Sequence, residues 1–228
     1  MRRAVATLAG LVTLTGATGV AGVAGHERPP LVDEFIQGVF SPAFVPPPAG
    51  SYELPSIKRV SPFVLRDTSG RAVSTQRVMA GKVAVVSFIY TACPDRVGCP
   101  LASTTLRDLQ SRLRESGLDQ RAALVSISFD PERDHPAQLA KYAQIYDADP
   151  ALWTFLTAPS QRELEPVLAS YGQDRSPVRD ERGRFTGQYR HVLKVFLVDR
   201  EGFIRNIYSA GFLVPDLVVN DIRTVLGH

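Results

Sequence analysis

The chain carries two cysteines, Cys93 and Cys99, both inside the stretch SFIYTACPDRVGCPLAS at the end of an apolar run. A thiol pair placed there fits three chemistries: a structural disulfide, a redox couple, or a pair of thiolates holding a soft metal. The last two need a thiolate, which is both the nucleophile and the metal ligand. A loop running from a buried strand into a helix supplies one, because the unpaired N–H groups and positive end of the helix favour negative charge. A disulfide across CPDRVGC would contribute about 2.4 kcal/mol in the chain-entropy model. A domain of roughly 170 residues already buries about 70% of its unfolded surface. The position therefore argues for chemistry over stapling.

Two sulfurs leave a metal under-coordinated. Of the four histidines, His26 lies in or beside a proline-rich segment and His228 is the last residue. His135 sits in the polar stretch DPERDHP ahead of a helix, where solvation is expected. His191 stands immediately before VLKVFLVD. It is either a third ligand or a surface histidine, and spacing alone leaves both readings open. Two thiolates and an imidazole suit copper, in either oxidation state, better than they suit hard cations.

The elements that must position these groups follow from hydrophobic patterning. FVLRDTSGRAV reads as a hairpin turning at Asp67 to Gly70. KVAVVSFIY and AALVSISF are continuous apolar runs, as in strands covered on both faces. LASTTLRDLQSRLRES has Leu101, Leu106, Leu109 and Leu113 near helical spacing. PAQLAKYAQIYD is a helix with Pro136 in its first turn, where a missing N–H is harmless. SQRE, from Ser160 to Glu163, is a capping-box match opening another helix. LKVFLVDREGFIRNIYSAG reads as two strands turning at Asp199 to Gly202, and VPDLVVNDIRTVL as a closing helix. DRSPVRDERGRFTGQYR, before His191, is charged and is expected to be a mobile solvated loop or a partner-docking loop. The order describes an α/β protein: a thioredoxin-like three-layer sandwich with an N-terminal β-hairpin, the cysteine loop leading into a helix and His191 at the start of a neighbouring strand.

The chain has 228 residues, 44% hydrophobic and 21% charged, with a net charge of +3. These values fit a globular protein. No basic run interleaved with aromatics points to nucleic acid. Residues 1–24 read as a secretory signal peptide: Arg2 and Arg3, a weakly apolar stretch, then Gly22-Val23-Ala24 as a cleavage site. An uncleaved anchor is the other reading of this segment. Residues 25–55 read as a proline-rich spacer, pinned to the domain by Phe35, Ile36, Phe40 and Phe44. Residues 56–228 are the thioredoxin-like domain. Export places the thiols in oxidising surroundings, where they can cycle.

SFIYTACPDRVGCPLAS, SISFDPERDHPAQLAKYA and HVLKVFLVDREG, in this order, resemble the Sco/SenC family over roughly residues 55–226. The resemblance implies a copper ion bound by Cys93, Cys99 and His191, with Cys93 and Cys99 also a redox pair. It also implies roles beside the site for Asp95 and Asp130, although for Asp130 a turn or helix-entry carboxylate is the favoured reading. The family spacing is Cys-x3-Cys; here it is Cys-x5-Cys. The implied function is an exported, periplasmic or membrane-anchored copper metallochaperone serving a respiratory oxidase. Its partners would be a copper-accepting oxidase subunit or another periplasmic redox protein, and a thiol reductant. The alternative is a metal-independent thiol–disulfide oxidoreductase. Peroxide reduction by Cys93 with Cys99 resolving, and a copper or redox sensor, are further readings.

Overall fold

The computed structural model describes residues 44–227. Residues 1–24, read as a signal peptide, lie outside the described residues, as do His26, Phe35, Ile36, Phe40 and His228. In chain order the strands are β1 (Lys58–Arg59), β2 (Val64–Asp67), β3 (Ala72–Ser74), β4 (Val83–Ile89), β5 (Ala122–Ser128), β6 (Trp153–Thr157), β7 (Arg175–Arg179), β8 (Phe185–His191), β9 (Val195–Val198) and β10 (Phe203–Tyr208). The α-helices are α1 (Thr75–Met79), α2 (Cys99–Glu115), α3 (Pro136–Ile145), α4 (Gln161–Tyr171) and α5 (Pro215–Leu226).

Eight strands form one sheet in the order β1-β10-β9-β4-β5-β6-β2-β3, while β7 and β8 form a separate hairpin. β4 pairs parallel with β5, and β5 with β6. Every residue of β4 and β5 is buried, as their unbroken apolar runs require of strands covered on both faces. Parallel neighbours need crossover connections, which α2 and α3 supply. β9 runs antiparallel to β4 with Val195 opposite Ser87, so β9 begins beside the end of β4.

Side-chain parity defines the three layers. Ser87 and Phe88 point to opposite faces of the sheet. On the Ser87 side, Ser87 Oγ and Ser126 Oγ lie 2.9 Å apart and the Trp153 indole donates to Ser126 Oγ at 3.0 Å. α2 and α5 touch each other and β4 there. Tyr142 of α3 reaches Ser103 of α2, with 3.0 Å between hydroxyl oxygens. On the other side, Tyr171 at the end of α4 packs edge-on against Phe88 and Phe196. The result is the thioredoxin-like sandwich expected from the element order.

Two stretches differ from their expected forms. Residues 153–157, which the sequence patterning assigns to no element, make the third parallel strand, β6. The charged stretch before His191 is the β7–β8 hairpin, turning where Gly183 N–H donates to the Asp180 carbonyl. The segment from Phe44 onward, read from the sequence as the end of a spacer, lies along α5. Phe44 meets the Phe212 ring, the Asn220 amide donates to the Pro47 carbonyl, and the Tyr52 hydroxyl donates to buried Asp221.

Candidate metal centre

β4 delivers the chain to the site as a fully buried strand, and the loop after it is organised by Asp95. The Cys93 amide donates to the Tyr90 carbonyl at 3.2 Å. The Asp95 carboxylate accepts the Val97 N–H at 3.1 Å, and its carbonyl accepts the Gly98 N–H at 3.0 Å. The Asp95 carbonyl also receives the Cys93 thiol at 3.7 Å. The Asp95–Gly98 turn thus takes up the long cysteine spacing, and Cys99 becomes the first residue of α2. Pro100 follows in the first turn, where a proline displaces no helical hydrogen bond. A Cβ on Gly98 would lie 3.2 Å from both the Asp95 carbonyl and a carboxylate oxygen. On Gly98→Ala the Asp95 oxygens must give way by a few tenths of an ångström. The expected result is a loss of roughly 1 kcal/mol by overpacking, read as a lowered melting temperature; an unchanged melt would contradict the tight turn.

Cys99 is fully buried and Cys93 half-buried, and both are free thiols. His191 closes the group. It is the last residue of β8, with Arg175 opposite it on β7. It does not begin the central strand: residues 192–194 separate it from β9. Its Nε2 lies 3.8 Å from Cys93 Sγ and 3.9 Å from Cys99 Sγ. All three donor atoms lie within 4.8 Å of one another. Donors bound at about 2.0–2.3 Å in a planar three-coordinate arrangement stand about 3.5–4 Å apart, so an ion fits between these with little movement. The imidazole rests against Phe129 at 4.9 Å between ring centroids and edge-on to Tyr90 at 5.8 Å.

The electrostatics separate the two thiols. Cys93 is lowered from 9.0 to about 4, chiefly because the Cys99 thiol hydrogen-bonds to it, with His191 and the backbone N–H of Cys99 adding to the effect against the opposing desolvation. Cys99 is raised by burial and by the neighbouring Cys93 sulfur. Cys93 is thus the acidic thiol of the pair and Cys99 the one that keeps its proton at neutral pH.

The remaining expected residues act around this group. Asp95 shapes the loop. Asp130 is buried; its carboxylate accepts the Tyr189 hydroxyl at 3.3 Å and pairs with Arg133. It thus faces the hairpin that carries His191. His135 is exposed and caps α3, its Nδ1 accepting the Gln138 N–H at 3.4 Å. Sequence reasoning missed Asp134. Its buried carboxylate accepts the Thr91 N–H at 3.0 Å, the Thr91 hydroxyl, and the Ser128 hydroxyl at 2.6 Å. It also missed the aromatic wall of Tyr90, Phe129 and Tyr189. The spacing of two aspartates in DPERD was the available signal for Asp134.

The family model for SCO1/SenC matches residues 53–227. The chain belongs to the SCO1/SenC family. A SCO1 protein homolog of Bacillus subtilis is 32% identical over 167 residues, covering 72% of this chain and 81% of that protein. The solved structure of BsSco, described as a Sco family member with a disulfide switch, superposes with a TM-score of 0.59 at 29% identity, covering 74% of this chain and 93% of that one. Arabidopsis thaliana ScoI, solved with copper bound, gives a TM-score of 0.62 at 25% identity over 74% of this chain and 98% of that one. In this SCO1/SenC protein the Cys93, Cys99 and His191 donors converge although His191 is 98 residues from Cys93 along the chain.

Proposed function

We propose that this SCO1/SenC protein is an exported copper carrier that delivers its ion to a respiratory oxidase copper site. The observation that carries the reading is the convergence of Cys93 Sγ, Cys99 Sγ and His191 Nε2 within 4.8 Å. Soft thiolates with an imidazole select copper over hard cations, and the copper-bound ScoI relative supports the same ion. Cys99 is the deep donor, fully buried; Cys93 and His191 are half-buried, so an acceptor's donor atoms replace these two first. Binding releases the Cys99 proton, since a thiol must be deprotonated to ligate. Residues 1–24 serve as the export signal or anchor and 25–55 as the spacer before the 56–228 domain.

A metal-independent thiol–disulfide exchange is the second reading. The thiolate–thiol asymmetry of Cys93 and Cys99 favours it, as does a groove of about 260 Å³ that reaches Cys93 between Pro100 and Lys141. Cys93 would attack a partner disulfide and buried Cys99 would resolve the mixed disulfide, two electrons passing to the partner. The oxidised pair cannot ligate copper as thiolates, so carrier function needs an external dithiol reductant.

The deciding experiment is competitive Cu(I) titration of the reduced protein against a chromophoric chelator. Wild type should bind one ion. His191→Ala should weaken binding by at least about 10-fold, the lower end of what even an outer partner of a ligand contributes. Equal affinity in the two proteins would remove His191 from the site. No binding by wild type, with measurable disulfide-reductase turnover, would leave the exchange reading.

A further inference from the structure

The hairpin that carries His191 shares no backbone ladder with the central sheet. Its strands are largely exposed, and Tyr189 is the buried residue of β8. An isolated two-stranded hairpin is marginally stable. Side chains must therefore hold this one still enough to keep His191 Nε2 within 4 Å of both sulfurs. Tyr189 and His191 lie two residues apart and share a strand face. Both rings pack on Tyr90 and Phe129.

Arg133, in the loop after β5, completes this attachment. Its Nε pairs with buried Asp130, whose other oxygen accepts the Tyr189 hydroxyl. Its guanidinium carbon lies 5.2 Å from the Phe185 ring centroid and 5.9 Å from that of Tyr189. Between those rings is Gly187 at φ +85°, where a Cβ would come within 2.6 Å of Arg133 Nη1. The pairing register shifts at this point, between Pro177 and Arg179. The missing side chain leaves the slot the guanidinium fills. Arg133 Nη2 is buried without an acceptor, so the ring faces offset its charge.

We infer that Arg133 is a positioning residue: it latches the β7–β8 hairpin to the loop after β5 and so holds His191 over the cysteine pair. The inference rests on the copper reading for its consequence, but the latch itself is a property of the metal-free protein. A planar fork that both pairs with a carboxylate and stacks on rings cannot be replaced by lysine, so charge alone should not rescue it.

The test uses the reduced full-length protein with wild type, Arg133→Ala and Arg133→Lys. Amide hydrogen exchange of the metal-free proteins is read alongside Cu(I) affinity and the imidazole nitrogen coupling of the Cu(II) adduct. Both variants should exchange faster in residues 185–191 while β4 and β5 keep their protection. Both should bind copper about 10- to 100-fold more weakly, the range for a partner that orients a ligand, and lose nitrogen coupling. Arg133→Lys, which keeps the stem and charge, serves if the alanine variant does not fold. Wild-type exchange in β8 with wild-type affinity and coupling would overturn the latch while leaving the carrier reading intact. If wild type binds no copper, the carrier reading fails, and exchange in β8 alone decides the latch: faster exchange upholds it and unchanged exchange overturns it.

Discussion

Alkylation of the reduced, metal-free protein should label Cys93 at a rate that changes less than about twofold between pH 8 and pH 5.5, whereas an ordinary thiol of pKa about 8.5 loses roughly 200-fold over that interval. The reason is local. The neighbouring Cys99 side chain, then His191 and the Cys99 backbone N–H, hold Cys93 at about 4 against the opposing desolvation. The thiolate fraction is then near unity across the whole range. The gain in absolute rate is smaller, because intrinsic nucleophilicity falls as the pKa falls, with a Brønsted coefficient of about 0.4–0.5. The pH profile, not the rate at one pH, is therefore the readout. Cys99, buried and raised, should stay unlabelled while Cys93 reacts. Cys99→Ala removes the largest cause and should move the Cys93 midpoint upward. A tenfold loss of Cys93 rate per pH unit below pH 8 in the wild type would refute the assignment. Linkage gives the same sign. With the folded value below the unfolded one, Cys93 stabilises the fold fully above pH 9, and this contribution is lost as pH falls toward about 4.

The second large effect belongs to Asp134. Its carboxylate joins Thr91, at the mouth of the cysteine loop, to Ser128, at the end of β5, by three hydrogen bonds. It is fully buried. Asp134→Ala leaves those donors facing a void. Each unsatisfied buried group costs about 1–3 kcal/mol, and partial hydration of the gap should keep the total near 3–5 kcal/mol. At about 2–4 °C per kcal/mol for a domain of this size, the melting temperature should fall by roughly 10 °C. Asp134→Asn keeps the shape but turns an amide N–H₂ toward donors, so it should show a substantial part of the loss. A melting temperature within 2 °C of wild type for Asp134→Ala would show that the three bonds contribute nothing net. Burial raises the Asp134 pKa above its ordinary 3.8 despite these bonds. By itself the group thus favours the fold most below that value, and less as pH rises through the raised one.

Both experiments probe features that differ in how far the amino-acid sequence discloses them. The unbroken apolar runs of β4 and β5 announce strands covered on both faces, and the cysteines follow one of them directly. Strand, loop and helix N-terminus are neighbours along the chain, so local patterning suffices to place Cys93 and Cys99 at a thiolate-favouring junction. The hairpin β2–β3, the Ser160 cap of α4 and the closing strands and helix are local in the same sense. β6 was less legible: its five residues, with Trp153 first, follow a polar turn and are too short to separate strand from buried loop by periodicity.

The hairpin carrying His191 was illegible for a different reason. Its strands bury little, so they show no alternating pattern, and their charge reads as that of a solvated loop. Their order comes from Arg133, Asp130 and Tyr189, which meet only once the chain has folded. Sequence by itself determined the thioredoxin-like frame, the thiol pair and the kinds of donor atom available. Only the tertiary structure decided that a histidine at the end of an exposed hairpin closes on both sulfurs, that Asp130 serves the hairpin, and that Asp134 braces the cysteine loop. Local patterns report which face of an element is buried, whereas these three arrangements depend on contacts between segments distant along the chain.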